Sequence, residues 1–203
     1  MLHTRNYRSR QAVAAIALSI SIISGCQPVM STNANPSNEP SLTDTPLRFK
    51  KHNFEANCYS TLSCSVIYDN FNFNADVTNK ESPPPRSTDY KSDWMSASYL
   101  GIRNFPSSAE VRWNSMDGVA HEARVDIGEI FKDELILHKV PASEIKPFFE
   151  GPVAGTPDIF LEVNDRTINV YMRMLIPTKA EQIAGNSNSF FRDDLMLAWS
   201  RTY

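Results

Sequence analysis

The chain contains Ala109-Glu110-Val111-Arg112-Trp113, then Asn114-Ser115-Met116-Asp117-Gly118, then Val119-Ala120-His121-Glu122-Ala123-Arg124-Val125-Asp126-Ile127, and this stretch specifies its architecture most directly. In both flanking runs apolar and polar residues alternate, which is the pattern of a strand with one buried face. Asp117 and Gly118 adopt the positive φ values of a tight turn at low cost. The stretch therefore predicts a β-hairpin.

Strand signals recur along the rest of the chain. Residues 47–54 and 62–68 are rich in aromatic and β-branched side chains, residues 159–163 and 167–176 flank Asn164-Asp165-Arg166, and residues 195–203 end the chain. These segments predict strands and a second hairpin, and residues 128–135, 143–146 and 178–184 allow short helical turns. We therefore expect a mainly β fold, an antiparallel sheet or β-sandwich with a few short helices; an α+β arrangement stays open.

The amino terminus has the layout of a bacterial secretory signal. Arg5, Arg8 and Arg10 precede an apolar run of about a dozen residues, shorter than the roughly 20 that a transmembrane helix needs. The run ends in Ile23-Ser24-Gly25-Cys26, which looks like a lipobox, where small residues flank the scissile bond and the thiol receives diacylglycerol. We expect residues 1–25 to be a cleaved signal peptide and Cys26 to carry the lipid anchor, including palmitate.

A tether and one domain follow the anchor. Residues 26–45 are mainly Ser, Thr, Asn, Pro and Glu. These side chains bury too little apolar surface to offset the conformational entropy that the chain would lose on ordering. We therefore expect a lipidated flexible tether that spans roughly 24 Å. Residues 46–203 are predicted to form a single mainly β periplasmic domain. The residue after Cys26 is Gln27 and not aspartate. This favours localisation of the lipoprotein to the inner leaflet of the outer membrane. The mature chain has a net charge of −6, which argues against nucleic acid as a partner.

Two cysteines remain after lipidation. Cys58 and Cys64 are separated by five residues, and in an oxidising periplasm the default for such a pair is a disulfide. Two free buried thiols are the alternative. A metal site would need further ligands, because two cysteines without a nearby histidine pair fall short of four.

The sequence lacks the usual signatures of an enzyme. It has no Gly-x-Ser-x-Gly elbow and no phosphate-binding glycine loop, and His121 on an apolar strand face is better explained as a buried, hydrogen-bonded side chain. A carboxylate pair assembled from distant residues, such as Asp93 with Glu162, stays open as the basis of a small periplasmic hydrolase. We predict no catalytic residue, no metal and no cofactor.

One polar-aromatic segment stands out as a candidate binding site. It is Tyr68-Asp69-Asn70-Phe71-Asn72-Phe73-Asn74-Ala75-Asp76. The residues that we assign to partner binding are Tyr68, Asp69, Asn70, Phe71, Asn72, Phe73 and Asp76, since aromatic rings give rigid contact area and Asn and Asp give adaptable hydrogen bonds. A strand with one wet face is the alternative interpretation of the same pattern.

Three segments resemble a known group of proteins. They are the residues from Phe105 to Gly118, Ile168-Asn169-Val170-Tyr171-Met172, and the closing Leu197-Ala198-Trp199-Ser200-Arg201-Thr202-Tyr203. They resemble the small bacterial lipoproteins found with type VI secretion effectors, particularly phospholipase toxins. The resemblance covers much of residues 96–203, rests on hairpin and strand patterns, and transfers no binding residue.

The resemblance implies a membrane-anchored immunity protein. Such a protein would bind a secreted phospholipase toxin one to one and protect the producing cell by occluding the lipase without chemistry of its own. The anchor would hold it beside the bilayer that the toxin attacks, and its negative charge could steer association with a basic face. A structural or assembly lipoprotein of the envelope is the second hypothesis, and the small hydrolase is the third.

Overall fold

The hairpin predicted at the centre of the sequence is confirmed. The computed structural model describes residues 46–76, 78–147 and 153–203. Strands Ala109–Ser115 and Ala120–Val125 pair antiparallel, with Ala109 opposite Val125. Gly118 has a φ of 84°, and its N–H donates to the carbonyl of Ser115 at 2.9 Å, which closes the turn.

The described chain is mainly β, as the sequence predicts. In chain order the strands are β1 Arg48–Phe49, β2 Lys51–Tyr59, β3 Thr61–Tyr68, β4 Phe71–Asn72, β5 Tyr99–Arg103, β6 Ala109–Ser115, β7 Ala120–Val125, β8 Val153–Gly155, β9 Asp158–Asn164, β10 Thr167–Arg173, β11 Ile176–Pro177, β12 Phe191–Arg192 and β13 Met196–Thr202. Helix α1 is the single turn Ile127–Ile130, and short 3-10 helices occupy Tyr90–Asp93 and Ala142–Glu144. Residues 178–184, where a helical turn was expected, form an irregular loop instead.

Two main sheets make up the fold. One has five strands in the order β13-β10-β9-β2-β5, and the other has four in the order β4-β3-β6-β7. Two small pairs, β1-β8 and β11-β12, complete the strands. Most neighbours are antiparallel, and the second predicted hairpin forms between β9 and β10. The parallel pairing of β2 with β9 departs from the predicted antiparallel sheet, because β9 reaches the centre of the sheet from about a hundred residues further along the chain.

The two main sheets pack face to face around one core. Alternate residues of β2, β9 and β10 point toward alternate residues of β3, β6 and β7, and their apolar side chains form a single cluster. The rings of Phe54 and Tyr68, which belong to opposite sheets, lie 4.4 Å apart. The indole N–H of Trp113 crosses to the carbonyl oxygen of Asp165 at 2.7 Å. Full burial of each large apolar side chain stabilises this sandwich by about 1.5–3 kcal/mol.

One sharp corner joins the two main sheets. β2 ends at Tyr59, β3 starts at Thr61, and only Ser60, with a φ of 50°, lies between them. The predicted disulfide is present at this corner and joins Cys58 of β2 to Cys64 of β3. The corner also pairs with the segment that leads into Pro83, Pro84 and Pro85, since the Ser82 N–H donates to the carbonyl of Thr61 at 2.8 Å.

The strand β9 is buried on both faces. Ile159, Leu161 and Val163 point into the shared core, while Phe160 and Glu162 point to the other side of the sheet and are still 1% and 0% exposed. Residues 90–97, which we call the strap, cover these two side chains. Trp94 of the strap packs on Phe160 with ring centroids 5.3 Å apart.

Several sequence-based predictions lie outside the described residues. These are the signal peptide 1–25, the lipid anchor at Cys26 and the tether up to residue 45. The described residues themselves all fall within one compact unit. No helix among residues 46–76, 78–147 and 153–203 has the length and apolar character needed to span a membrane.

The corner disulfide gives a stability prediction. We expect reduction of the bond between Cys58 and Cys64 to lower the free energy of unfolding by about 2 kcal/mol, because closing so short a loop removes that much chain entropy from the unfolded state. Urea unfolding with and without reductant measures the change. The variant Cys58→Ala/Cys64→Ala is the control and should not respond to reductant. Equal urea midpoints for the oxidised and reduced wild type would contradict the prediction.

Candidate functional site

The predicted binding segment begins with a tight turn. Tyr68 and Phe71 are paired across β3 and β4, so Asp69 and Asn70 form a two-residue loop. Their φ values are 49° and 61°, which is the left-handed conformation at both positions of a type I′ turn. Asp and Asn tolerate this conformation better than other non-glycine residues. The local sequence therefore fixes the shape of the turn before any partner binds.

An aromatic cluster continues from the turn. The ring of Phe71 lies 5.0 Å from Tyr99 and 4.9 Å from Phe73, and Phe73 lies 5.0 Å from Phe54 in the core. β4 is the edge of the four-stranded sheet and β5 the edge of the five-stranded sheet. The contact of Phe71 with Tyr99 therefore bridges the two sheets along one side of the sandwich.

We call Asp69, Asn70, Phe71, Tyr99 and Leu100 the turn surface. Phe71 is 46% exposed and Leu100 is 69% exposed, so the surface presents apolar groups to solvent. A groove of about 550 Å³ runs from Asp69 past Leu100 to Arg103 and Phe105. Tyr99 and Leu100 were not predicted, because the position of β5 beside Asp69 and Phe71 depends on two sheet edges that are remote in sequence.

The other predicted residues are divided between surface and interior. Asp76 is exposed, Asn72 is half-buried, and Phe73 is half-buried against Phe54. Tyr68 is 1% exposed, and its hydroxyl is used inside the core, so this side chain does not lie on the surface as the prediction required. The reason is strand alternation: Tyr68 follows Cys64 and Val66 on the inward face of β3.

A buried histidine lies beneath the turn surface. His52 is 0% exposed; its Nδ1 is 2.9 Å from Oδ1 of Asn104, and its Nε2 is 3.0 Å from the Tyr68 hydroxyl. The Asn104 amide nitrogen donates to the carbonyl of Phe49, so its oxygen faces the histidine as an acceptor. Nδ1 therefore carries the proton, and Nε2 accepts from Tyr68. Burial lowers the pKa of His52, which favours this neutral form.

The strap covers a buried carboxylate. Glu162 accepts hydrogen bonds from the Tyr90 hydroxyl, from Nδ2 of Asn169 at 2.9 Å and from the Tyr171 hydroxyl at 3.4 Å. Nζ of Lys91 lies 3.5 Å from its Oε1. Burial raises the pKa of Tyr171 to about 12 and also raises that of Tyr90, so both phenols keep the protons that they donate.

The carboxylate pair that the sequence left open is Asp93 with Glu162. Asp93 is exposed on the 3-10 helix Tyr90–Asp93, whereas Glu162 is fully buried and held by two tyrosines and an amide. A glycosidase-type pair needs both carboxyl groups to flank one substrate bond. Asp93 is instead exposed to solvent on the strap, and Glu162 is buried beneath the strap.

A serine, a histidine and an aspartate also meet at the β6–β7 turn. Oγ of Ser115 lies 2.9 Å from Nε2 of His121 and contacts the carboxylate of Asp117. In a catalytic triad the histidine stands between the other two groups, whereas here the serine does. Ser115 is also 0% exposed, and the ring of His121 stacks on Trp113 at 4.8 Å, as expected for a structural histidine.

The geometry can be compared with metal sites and with known proteins. Among residues 46–76, 78–147 and 153–203 there is no group of three or more His, Cys, Asp or Glu side chains placed to hold a metal ion. No family model, no curated protein and no solved structure matches this chain.

His52 makes the stability of the domain depend on pH. The unfolded chain takes up a proton near pH 6.5, while the buried ring does so only at lower pH, so protons below pH 6.5 stabilise the unfolded state. We expect the urea midpoint to fall as the pH is lowered from about 7 to about 5.

Two variants separate the contribution of His52 to the pH dependence from that of His138. His52→Gln should flatten this pH dependence, although the variant will be less stable at every pH. His138→Gln should keep the part of the slope that His52 contributes, since burial also lowers the pKa of His138. An unchanged slope in His52→Gln would refute the assignment.

Proposed function

We propose that this protein is a lipid-anchored periplasmic immunity protein that binds and occludes a type VI secretion phospholipase toxin. The observation that supports a binding role is the turn surface, where exposed Phe71 and Leu100 sit on a rigid sandwich edge beside a groove. The choice of toxin rests on the sequence resemblance and on the lipobox. No chemical step is assigned to the protein.

The turn surface is well suited to bind without large rearrangement. The type I′ turn fixes Asp69 and Asn70, and Phe71 is held by Tyr99 and Phe73 on its two sides. A side chain that is already ordered loses less entropy on binding, and this loss otherwise costs about 0.5–1.5 kcal/mol per side chain. Aromatic anchors surrounded by polar groups are typical of residues that dominate interface energies.

The anchor and the charge support the same function. A lipid at Cys26 and a tether of roughly 24 Å would keep the domain in a thin layer at the membrane, which raises its effective concentration toward a toxin acting on lipid. The net charge of −6 on the mature chain would speed association with a basic toxin face. Both effects increase the rate of capture, while the apolar contacts slow dissociation.

A protection assay tests the proposed function as a whole. A phospholipase encoded next to this gene is exported to the periplasm with and without this protein, and survivors are counted. We expect rescue, together with a stable complex recovered by affinity pull-down. No rescue and no complex, with the lipoprotein shown to be expressed and anchored, would favour the envelope-assembly hypothesis.

A matched pair of variants tests the turn surface. Leu100 is 69% exposed on β5 and Leu197 is 55% exposed on β13, and these strands form opposite edges of the same sheet. We expect Leu100→Ser to weaken toxin binding roughly tenfold or more, which is about 1.4 kcal/mol, and Leu197→Ser to leave it unchanged. Titration calorimetry measures both affinities, and urea unfolding checks that both variants remain folded. Equal affinities would remove Leu100 from the interface.

Charge neutralisation at the turn gives a third test. Asp69→Asn keeps a residue type that tolerates the positive φ of 49°, so it removes the charge without straining the turn. Combined with Asp76→Asn, it should lower the association rate with a basic toxin and reduce the salt dependence of that rate. Stopped-flow kinetics at two salt concentrations measures both quantities. A rate and a salt dependence equal to those of the wild type would exclude these carboxylates from steering.

A further inference from the structure

A loop at one end of the five-stranded sheet exposes four large apolar side chains. We call residues 175–191 the apolar loop; it contains β11 and the first residue of β12. Leu175 is 50% exposed, Ile183 62%, Phe190 39% and Phe191 41%. Exposed apolar groups that are gathered on one segment mark a contact with another protein or with a membrane.

The buried positions within the apolar loop are polar. Between residues 178 and 190 only Thr178 and Ser189 are buried. The Thr178 hydroxyl donates to the carbonyl of Ala180 at 2.8 Å, and Oγ of Ser189 accepts from the Ile183 N–H at 3.0 Å. The loop therefore keeps its polar groups inside and its apolar side chains outside. A loop that faces water normally has the opposite arrangement.

The backbone of the apolar loop is ordered by its own hydrogen bonds. The Thr178 N–H donates to the carbonyl of Phe190 at 2.9 Å, and the Gln182 N–H donates to that of Ser189 at 2.8 Å. These bonds tie the two arms of the loop together and fix where its apolar side chains emerge. Because the loop is already ordered, binding through these side chains costs less conformational entropy.

The apolar loop lies at the end of the sheet where the described chain begins. Arg173 pairs with Asp158, and Asp158 pairs with Asn53, so these three residues form one row across β10, β9 and β2. Neighbouring strands are about 4.8 Å apart, which places Arg173 roughly 10 Å from Asn53. The apolar loop follows β10 directly, and residue 46 lies shortly before β2. The loop and the point where the tether joins the domain are therefore at the same end of the sheet.

The apolar loop has no net charge, since its charged residues are Lys179 and Glu181. After the loop, Arg192 pairs with Asp194 at 2.8 Å. The mature chain as a whole has a net charge of −6. An uncharged apolar surface meets no repulsion from anionic lipids, whereas an acidic surface does. Charge therefore favours this loop over the acidic remainder of the mature chain as the part that touches a bilayer.

We propose that the apolar loop is a membrane-contact surface that enters the lipid interface and orients the domain on the bilayer. Ile183, Phe190 and Phe191 occupy the boundary between headgroups and acyl chains, where an apolar face is buried by about 5–10 Å. A tether of roughly 24 Å keeps this end of the domain within reach of the membrane. The inference rests on the lipid anchor of the proposed function and requires no toxin.

The β6–β7 turn provides an internal comparison. Ser115 pairs with Thr61 at the corner, and the Met116 N–H donates to Oδ1 of Asp165 in the β9–β10 turn at 3.0 Å. The β6–β7 turn therefore lies at the opposite end of the sandwich from the apolar loop. Met116 is 45% exposed and Val119 is 50% exposed, so apolar side chains of comparable exposure are present at both ends.

Paramagnetic broadening in bilayer nanodiscs tests the inference on the wild type. The full chain, its lipid confirmed by mass spectrometry, is loaded at one copy per nanodisc of phosphatidylethanolamine and phosphatidylglycerol that contains a gadolinium-chelating lipid. We expect the amide resonances of Ile183 and Phe190 to be lost by broadening and those of Met116 and Val119 to be retained. Equal broadening at both ends, or stronger broadening at the turn, would overturn the inference. A mature chain that carries no lipid would overturn it as well.

Matched double variants test the apolar side chains themselves. In Ile183→Ser/Phe190→Ser we expect the amide resonances of Gln182 and Ser189 to return in the same nanodiscs. In Met116→Ser/Val119→Ser they should stay lost, and urea unfolding checks that both variants remain folded. Resonances that stay lost in both variants would remove the side chains of Ile183 and Phe190 from the contact.

The same measurements separate the membrane from other partners of the loop. Broadening that appears only in nanodiscs with several copies would assign the loop to contact between copies. Retained loop resonances, with a toxin affinity that falls in Ile183→Ser/Phe190→Ser, would assign the loop to the toxin. Either result would overturn the inference. Loop resonances that are lost in nanodiscs, in a protein that neither binds the toxin nor protects against it, would support the membrane contact and overturn the proposed function alone.

Discussion

The burial of β9 on both faces is the constraint on which the rest of the structure depends. A strand at the centre of a sandwich normally has one face in the core and one toward solvent. Here Phe160 and Glu162 occupy the second face and are also buried, so the apolar ring needs a packing partner and the carboxylate needs charge and hydrogen bonds to offset its loss of water. The strap supplies an aromatic cover through Trp94 and a counter-charge through Lys91. The ion pair of Lys91 with Glu162 is thus a direct consequence of placing a glutamate on the outer face of a fully buried strand.

A second constraint acts at the edges of the sandwich. The one-residue corner at Ser60 sends β2 and β3 into different sheets, and the disulfide from Cys58 to Cys64 holds that corner. At the other end of the same two strands, β4 and β5 become neighbouring sheet edges, and Phe71 and Tyr99 close the gap between them. An exposed sheet edge invites unwanted strand pairing, and the irregular pairing of β5 with β2 together with the positive φ of Gly101 disfavours it. Side chains of this edge, rather than its backbone, are therefore the groups available to a partner.

The buried groups His52 and Glu162 are both compensated, but by different means. His52 avoids charge, since its neutral ring can donate to Asn104 and accept from Tyr68 at the same time. Glu162 keeps its charge partners close, because a carboxylate can only accept and three donors surround it. The first group links the stability of the domain to pH, and the second holds the Lys91 side chain of the strap against the sheet. The two groups belong to opposite faces of the five-stranded sheet, so each can be altered while the other is kept.

The local sequence determined the elements whose signals lie within a few residues of each other. Alternation and Asp117-Gly118 were enough to predict the β6–β7 hairpin, Asn164-Asp165-Arg166 marked the β9–β10 hairpin, and two nearby cysteines predicted the disulfide. The parallel pairing of β2 with β9, the contact of Phe71 with Tyr99 and the pairing of Lys91 with Glu162 were decided only by the tertiary structure. Short-range signals fix turns and strand faces because backbone conformation and alternation are local properties. Which strands become neighbours depends on burying apolar faces from distant parts of the chain together, and the turn surface arises where such distant parts meet.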